Sequence, residues 1–369
     1  MKKIAIAITS QINLITSISY LEKQYGSIDK LDLILIVAHE QMTDEQVVLV
    51  SNMAKNIFSI QKIADVRDAL ETYKKYRIKI KGDLFKYKKI NEIKKNLDVV
   101  LRPYFKDLQN IDLLLIRKPS RFSELFLIKY IVPISISRIE DGANAIISPY
   151  IPAYYKYKAH IKKLTGIFPF IFYRLAGCGD EMTFVYKFRS LPQVHSIQDG
   201  SIDPHLILKN FKKIKQPIDS GKFKEIKLLF LGTYDISIVE NSINAIKKDN
   251  VALELLKKKY SLNDNEVLYK PHPKTFINMT FDDYKNTINV CITSKKESLM
   301  MAEHLSIYMA KLKWVVSGAG SYSLFVISSM LEKVEPVMIR YKDNSHTKKQ
   351  YDAANNKYIE VNKVESIVV

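Results

Sequence analysis

Four short segments of the first half of the chain are nearly unbroken apolar: residues 4–8, Leu31–Val37, Leu113–Ile116 and residues 131–136. A strand with one wet face alternates apolar and polar side chains, whereas runs like these need cover on both faces, which is the condition of a parallel sheet between helical layers. The stretches at 65–76 and 124–130 have the mixed character of helices lying between such strands. A second series follows, with strand-like segments at 226–231, 267–269, 287–292 and 314–316 and helix-like segments at 238–247 and 321–331. The lysine-rich stretch at 210–221, which contains Pro217 and Gly221, separates the two series. A chain of 369 residues also exceeds what one core organises. The pattern therefore predicts two α/β domains, residues 1–210 and 223–369, joined by a linker at 211–222.

Charge narrows the partners by sign. With 57 Lys plus Arg against 39 Asp plus Glu, the net charge of +18 favours an anionic partner, whether nucleic acid, anionic lipid, phosphorylated small molecule or acidic polymer. No zinc-finger spacing, RNA-binding aromatic signature or base-reading basic helix accompanies that charge, which argues against nucleic acid. The apolar fraction of 47% argues against a disordered chain. Cys178 and Cys291 make no disulfide framework and fit a reducing compartment, so the cytoplasm is the expected location. The opening Met1-Lys2-Lys3-Ile4 run imitates a signal peptide, yet it ends at Thr9-Ser10-Gln11-Ile12-Asn13 without a small-residue cleavage site and reads better as a first buried strand. No segment approaches the 18 apolar residues of a bilayer span. Peripheral attachment to an anionic inner membrane face through the lysines stays open.

Three motifs carry chemistry. Glu140-Asp141-Gly142 follows the strand-like run through Ile139; the glycine lets the chain turn, exposing one carboxylate while the other holds the loop, although a solvated acidic turn has the same composition. No neighbouring His or third carboxylate completes a cation shell around the pair, so no metal site is expected. Lys270-Pro271-His272-Pro273 follows the second-series strand at 267–269. Both prolines restrain the backbone around His272, whose imidazole suits proton donation or stabilisation of a phosphate oxygen near neutral pH, or serves as a structural turn residue. Ser317-Gly318-Ala319-Gly320-Ser321-Tyr322-Ser323 reads as strand end, small-residue loop and helix start, an anion site at a helix N-terminus or simply a capped helix. It matches neither the Walker loop nor the dinucleotide fingerprint.

Taken together and in this order, the three motifs resemble the acidic-acidic-glycine, His-Pro and serine-rich motifs of bacterial sialyltransferases of glycosyltransferase family 52, related to the capsular polysialyltransferases. Asn13 in the loop after the first strand, Leu228 through Gly232 opening the second domain, and the Ala302-Glu303 pair extend the resemblance across most of the chain. It implies a GT-B fold, two Rossmann-like domains facing across a central cleft, and a CMP-sialic acid donor with no cofactor and no metal. Glu140 would be the general base, with Asp141 beside it, and His272 would stabilise or protonate the departing CMP phosphate. Gly232, Lys270, Pro273, Glu303, Ser317, Gly318, Gly320, Ser321 and Ser323 would bind the donor, with Glu303 on the ribose hydroxyls and Ser321 and Ser323 on the phosphate. Asn13, Arg117 and Arg121, with Lys118 between the arginines, are acceptor-side candidates. The sequence departs from the resemblance at Met300-Met301, where relatives often carry proline, and at Gly318 through Ser323, where the small polar residues are spaced apart. The implied reaction is inverting transfer of sialic acid to a galactoside-ended bacterial surface glycan, lipooligosaccharide or capsule. Elongation of a capsular polysialic acid and transfer of another CMP-activated acidic sugar are the alternatives, and a carbohydrate-binding descendant without turnover is a further one.

Overall fold

The structure is a computed structural model and describes residues 1–38, 42–82, 96–116, 122–139, 194–196, 203–214, 220–232, 242–272, 281–298, 300–318, 322–340 and 365–368. The chain divides into two compact units, the break among the described residues falling between Leu206 and Ile207. That position lies inside a helix, α5 (Pro204–Lys212), just ahead of the lysine-rich stretch at 210–221.

In the first unit the elements run β1 (Lys2–Ile8), α1 (Gln11–Tyr25), β2 (Leu31–Val37), α2 (Asp44–Phe58), β3 (Lys62–Asp65), α3 (Arg67–Gly82), β4 (Leu113–Ile116), α4 (Phe122–Ile131), β5 (Ser135–Arg138) and β6 (Val194–Ser196). The sheet has the order β3-β2-β1-β4-β5-β6, with every pairing parallel. The chain winds outward from β1 to β3 and then returns to lay β4 against the other side of β1. This reversal makes the carboxyl ends of β1 and β4 a topological switch point, where open α/β sheets bind ligands.

The double cover predicted from the apolar runs is present. Ala5, Ala7, Ile34, Ile36, Leu114, Ile116 and Ile136 pack on one face with Leu70, Tyr73, Phe105 and Phe126. By alternation Ile4, Ile6, Ile8, Leu33, Leu35 and Leu115 occupy the opposite face, and all are buried. The helix ends follow local chemistry. Ser10 accepts from the N–H of Asn13 at the start of α1, and Gly26, at φ 76°, closes the helix with its N–H on the Glu22 carbonyl. Thr43 and Gln46 form a reciprocal capping box at the start of α2.

The second unit runs β7 (Leu228–Leu231), α6 (Ser242–Tyr260), β8 (Val267–Lys270), α7 (Phe281–Lys285), β9 (Cys291–Ile292), α8 (Lys295–Ser298), α9 (Ala302–Ser306), β10 (Trp314–Gly318), α10 (Tyr322–Met330), β11 (Glu335–Arg340) and β12 (Glu365–Val368). Its sheet is again wholly parallel, in the order β12-β11-β10-β7-β8-β9, with the switch point between β7 and β10. One face packs Leu229, Leu231, Leu268 and Val315 against Ala302, Leu305 and Leu324. The other packs Leu228, Phe230, Tyr269 and Val316 against Leu253 and Leu256 of α6.

The two parallel-sheet α/β units agree with the expected fold class, and some element positions differ. The strand expected at 131–136 lies further along: α4 continues through Ile131, and β5 begins at Ser135 and runs to Arg138. Pro133 excludes Val132 from the right-handed helical region, and Val132 instead takes φ 48°, a strained choice for a β-branched residue. The Ile134 N–H then bonds the Ile111 carbonyl and sets the register of β5. The strand expected at 287–292 reduces to Cys291–Ile292, and the helix expected at 238–247 extends to Tyr260.

Gly232 follows β7 where two strands come close. Its N–H bonds the Lys270 carbonyl at 2.9 Å, and a Cβ on it would lie 2.6 Å from the Tyr269 hydroxyl. The Tyr269 ring cannot withdraw, being stacked on Phe230 and donating its hydroxyl to Asp249 at 2.7 Å. We expect Gly232→Ala to cost about 1–3 kcal/mol of stability. Combined with Tyr269→Phe it should cost less than the two single changes together, as a double-mutant cycle by urea unfolding would show; strict additivity would mean the alanine is accommodated elsewhere.

Candidate functional site

In the second unit, residues expected to bind the donor converge at the carboxyl ends of β7, β8 and β10. Leu268 and Val315 share one face of the sheet with Ala302, Leu305 and Leu324. Side chains alternate along strands, so Lys270, two residues beyond Leu268, and Ser317, two beyond Val315, turn to that same face. Glu303 is delivered there by α9 and Ser323 by the first turn of α10. Lys270, Glu303 and Ser317 are buried, with 5%, 3% and 3% of their surfaces exposed.

Two opposite charges are thus held out of water on one sheet face. Burial pushes the Lys270 ammonium down from 10.5 to about 8, and the Glu303 charge opposes that shift. Burial pushes the Glu303 carboxyl up, opposed by the Ser323 hydroxyl, which hydrogen-bonds it, by its own backbone N–H and by the charge of Lys270. The ammonium donates to the Ser298 carbonyl at 2.9 Å, and the Ser298 hydroxyl lies 2.6 Å from that of Thr293. Lys270 therefore anchors the chain between β9 and α9, the segment that brings in Glu303.

His272 is half-buried directly beyond β8, after a buried Pro271. Gly318 is the last residue of β10, paired with Ile339 of β11, and Gly232 serves the strand contact already described. Pro273, Gly320 and Ser321 lie outside the described residues, as does the loop that would complete the anion site. Sequence reasoning missed His304. It is buried beside Glu303, stacked on Phe211, with Nε2 3.1 Å from the Ile214 carbonyl. Burial pushes its imidazole down, so it is neutral near pH 7. Only its position next to Glu303 marks it in the sequence. Thr293 and Ser298 carry no sequence signal, because their role arises from the fold bringing Lys270 to them.

In the first unit Asn13 sits in the first turn of α1, directly beyond β1 at the switch point. Only 3% of it is exposed, and both its side-chain oxygen and its nitrogen are buried without a hydrogen-bond partner. A buried amide left unsatisfied costs about 1–3 kcal/mol, so this one is suited to a ligand that offers both a donor and an acceptor, such as sugar hydroxyls. The strands leading to the other candidates are described while the candidates are not. β4 ends at Ile116, before Arg117, Lys118 and Arg121, and the N–H of Ile139 bonds the Ile116 carbonyl directly before Glu140 and Asp141. Among the described residues no group of three or more His, Cys, Asp or Glu is arranged to hold a metal ion, and no helix is long and apolar enough to cross a membrane.

Two measurements test these environments. Between about pH 8 and 10.5 the unfolded chain keeps the Lys270 proton that the folded chain has released, so the folded state gains stability as pH rises through that window. Relative to Lys270→Met, the wild type should gain up to roughly 3 kcal/mol between neutral pH and pH 10 in chemical unfolding; parallel pH profiles would show that Lys270 keeps an ordinary affinity for its proton. Asn13→Leu, which replaces the unpaired amide with an apolar side chain of the same branched shape, should leave stability unchanged or raise it by about 1 kcal/mol. A clear loss in thermal unfolding would mean that the amide is satisfied within the protein.

No family model matches the sequence, and no curated protein matches it. Solved structures similar to the chain include a 2,6-sialyltransferase from Photobacterium, crystallised with CMP and lactose, at 12% identity and TM-score 0.49, covering all of this chain and 78% of that one. A UDP-GlcNAc 2-epimerase from Methanocaldococcus jannaschii, crystallised with UDP-GlcNAc and UDP, aligns at 11% identity and TM-score 0.49 over all of this chain and 89% of its own. An E. coli heptosyltransferase with ADP aligns at 11% identity and TM-score 0.38 over 98% of each chain.

Proposed function

We propose that the protein is a metal-independent, inverting glycosyltransferase of GT-B type that transfers sialic acid from CMP-sialic acid to a galactoside-ended bacterial surface glycan. The observation that carries the reading is the meeting of Lys270, Glu303, Ser317 and Ser323 on one sheet face at the end of β8 and β10, from sequence motifs that lie far apart and resemble those of family 52 sialyltransferases. A buried carboxylate there suits the two hydroxyls of a ribose. His272, beyond the same strand as Lys270, suits the phosphate.

In this reading Glu140 removes the proton of the acceptor hydroxyl as its oxygen attacks the anomeric carbon. The bond from that carbon to the phosphate oxygen breaks, and CMP departs with its charge stabilised, or its oxygen protonated, by His272. Ser321 and the N–H groups at the start of α10 hold the phosphate. Ser323 supports Glu303, to which its hydroxyl is bonded. Asp141 orders the base loop, while Asn13, Arg117 and Arg121 receive the acceptor.

Calorimetric titration should give CMP and CMP-sialic acid tighter binding than UDP or GDP, and equal or tighter binding of UDP would reject the cytidine donor. Glu140→Gln should keep donor affinity and lower single-turnover transfer about 10²- to 10⁴-fold, and His272→Ala should slow departure of the phosphate. Transfer should survive chelation by EDTA. Offered lactose or oligosialic acid, the enzyme should add a single sialic acid to lactose. Repeated addition confined to oligosialic acid would replace this acceptor with a growing capsule chain, and transfer only from another CMP-activated acidic sugar would place the error in the donor.

A further inference from the structure

Helix α6 crosses from β7 back to β8 with one face in the core and the other in water. Ile246, Ala252, Leu253 and Leu256 are packed in the core, and Asp249, also buried, receives the Tyr269 hydroxyl. On the outer face two large apolar side chains stand one turn apart, Val251 with 54% and Leu255 with 44% of their surfaces exposed. At 3.6 residues per turn, Lys247, Lys248, Lys258 and Lys259 fall with them in one arc of about 120°, so the apolar pair has lysines at both ends. Glu254, the acidic residue on this outer side, is held by Lys257 at 2.7 Å, and Lys259 is paired with Glu365.

We infer that this face of α6 docks the protein on an anionic lipid surface. A bilayer interface has negative headgroups outside and an apolar boundary beneath, and lysines can reach the headgroups while the side chains between them enter the boundary. A soluble polyanion would match the charge and leave Val251 and Leu255 without a partner. The placement also keeps this face apart from the candidate ligand site: α6 packs on the side of its sheet opposite α9, which carries Glu303, and α10. The chain's +18 charge draws it to the same surface. None of the catalytic assignments enters this inference.

The test is co-sedimentation of the full chain with vesicles of phosphatidylglycerol in phosphatidylcholine, against phosphatidylcholine alone. Binding should require the anionic lipid and weaken with salt. Each lysine near such a surface contributes about fivefold in partitioning, so Lys247→Gln/Lys258→Gln should weaken it about 25-fold. Val251→Ser/Leu255→Ser should weaken it about tenfold. All four positions lie off the packed face, so melting temperatures should be unchanged. The inference is overturned if the chain ignores anionic vesicles or if either double variant partitions like the wild type. A loss caused by the lysine changes alone would reassign the face to a soluble polyanion. Self-association that disappears in the serine variant would reassign it to a second copy of the chain.

Discussion

Parallel strands can be joined only by crossovers, and helices laid on the sheets by such crossovers seal the central strands of both units between layers. Every other feature depends on this. Because the faces are closed, polar chemistry is confined to the carboxyl edges, where the chain leaves a strand and has yet to enter a helix. The winding reverses at β1 in the first unit and at β7 in the second, and such switch points are where open α/β sheets bind ligands. Asn13 lies at the first edge, and Lys270, His272 and Ser317 lie at the second.

The second edge carries an energetic tension of its own. An ammonium and a carboxylate, both buried, stand against desolvation that neither fully escapes, since Lys270 is pushed down and Glu303 up toward their neutral forms. The arrangement persists because the ammonium also anchors the Ser298 carbonyl and a serine hydroxyl supports the carboxylate. A ligand bringing hydroxyls to Glu303 would relieve the same tension.

The sequence reveals the centre of each sheet and loses its margins. Residues 4–8 and Leu31–Val37 could be read directly because burial on both faces leaves no room for polar alternation. β3 (Lys62–Asp65), charged at both ends, and β12 (Glu365–Val368), charged at its start, are short, partly exposed edge strands, and nothing local separates them from a turn. The error at 131–136 has another origin: Ile131, Val132 and Ile134 are all strand formers, and only Pro133 and the bond from Ile134 to Ile111 decide where the helix stops. Within the site, Lys270, Glu303 and Ser323 could be found because they stand at element ends. Ser298 and His304 gain their meaning from partners 28 and 90 residues away, a relation no local pattern encodes.

The bond between His304 and the Ile214 carbonyl, with Phe211 stacked on the same ring, also bears on how the second unit can be separated from the first. A fragment beginning at the first strand of its sheet would contain every strand of it, yet would strip the covering from the five-residue helix that carries Glu303. That helix is too short to hold its shape unaided. An isolated second unit would need its entering segment from Ile207 onward, and the polar lysine stretch that looks like a tether contributes part of the wall behind the site.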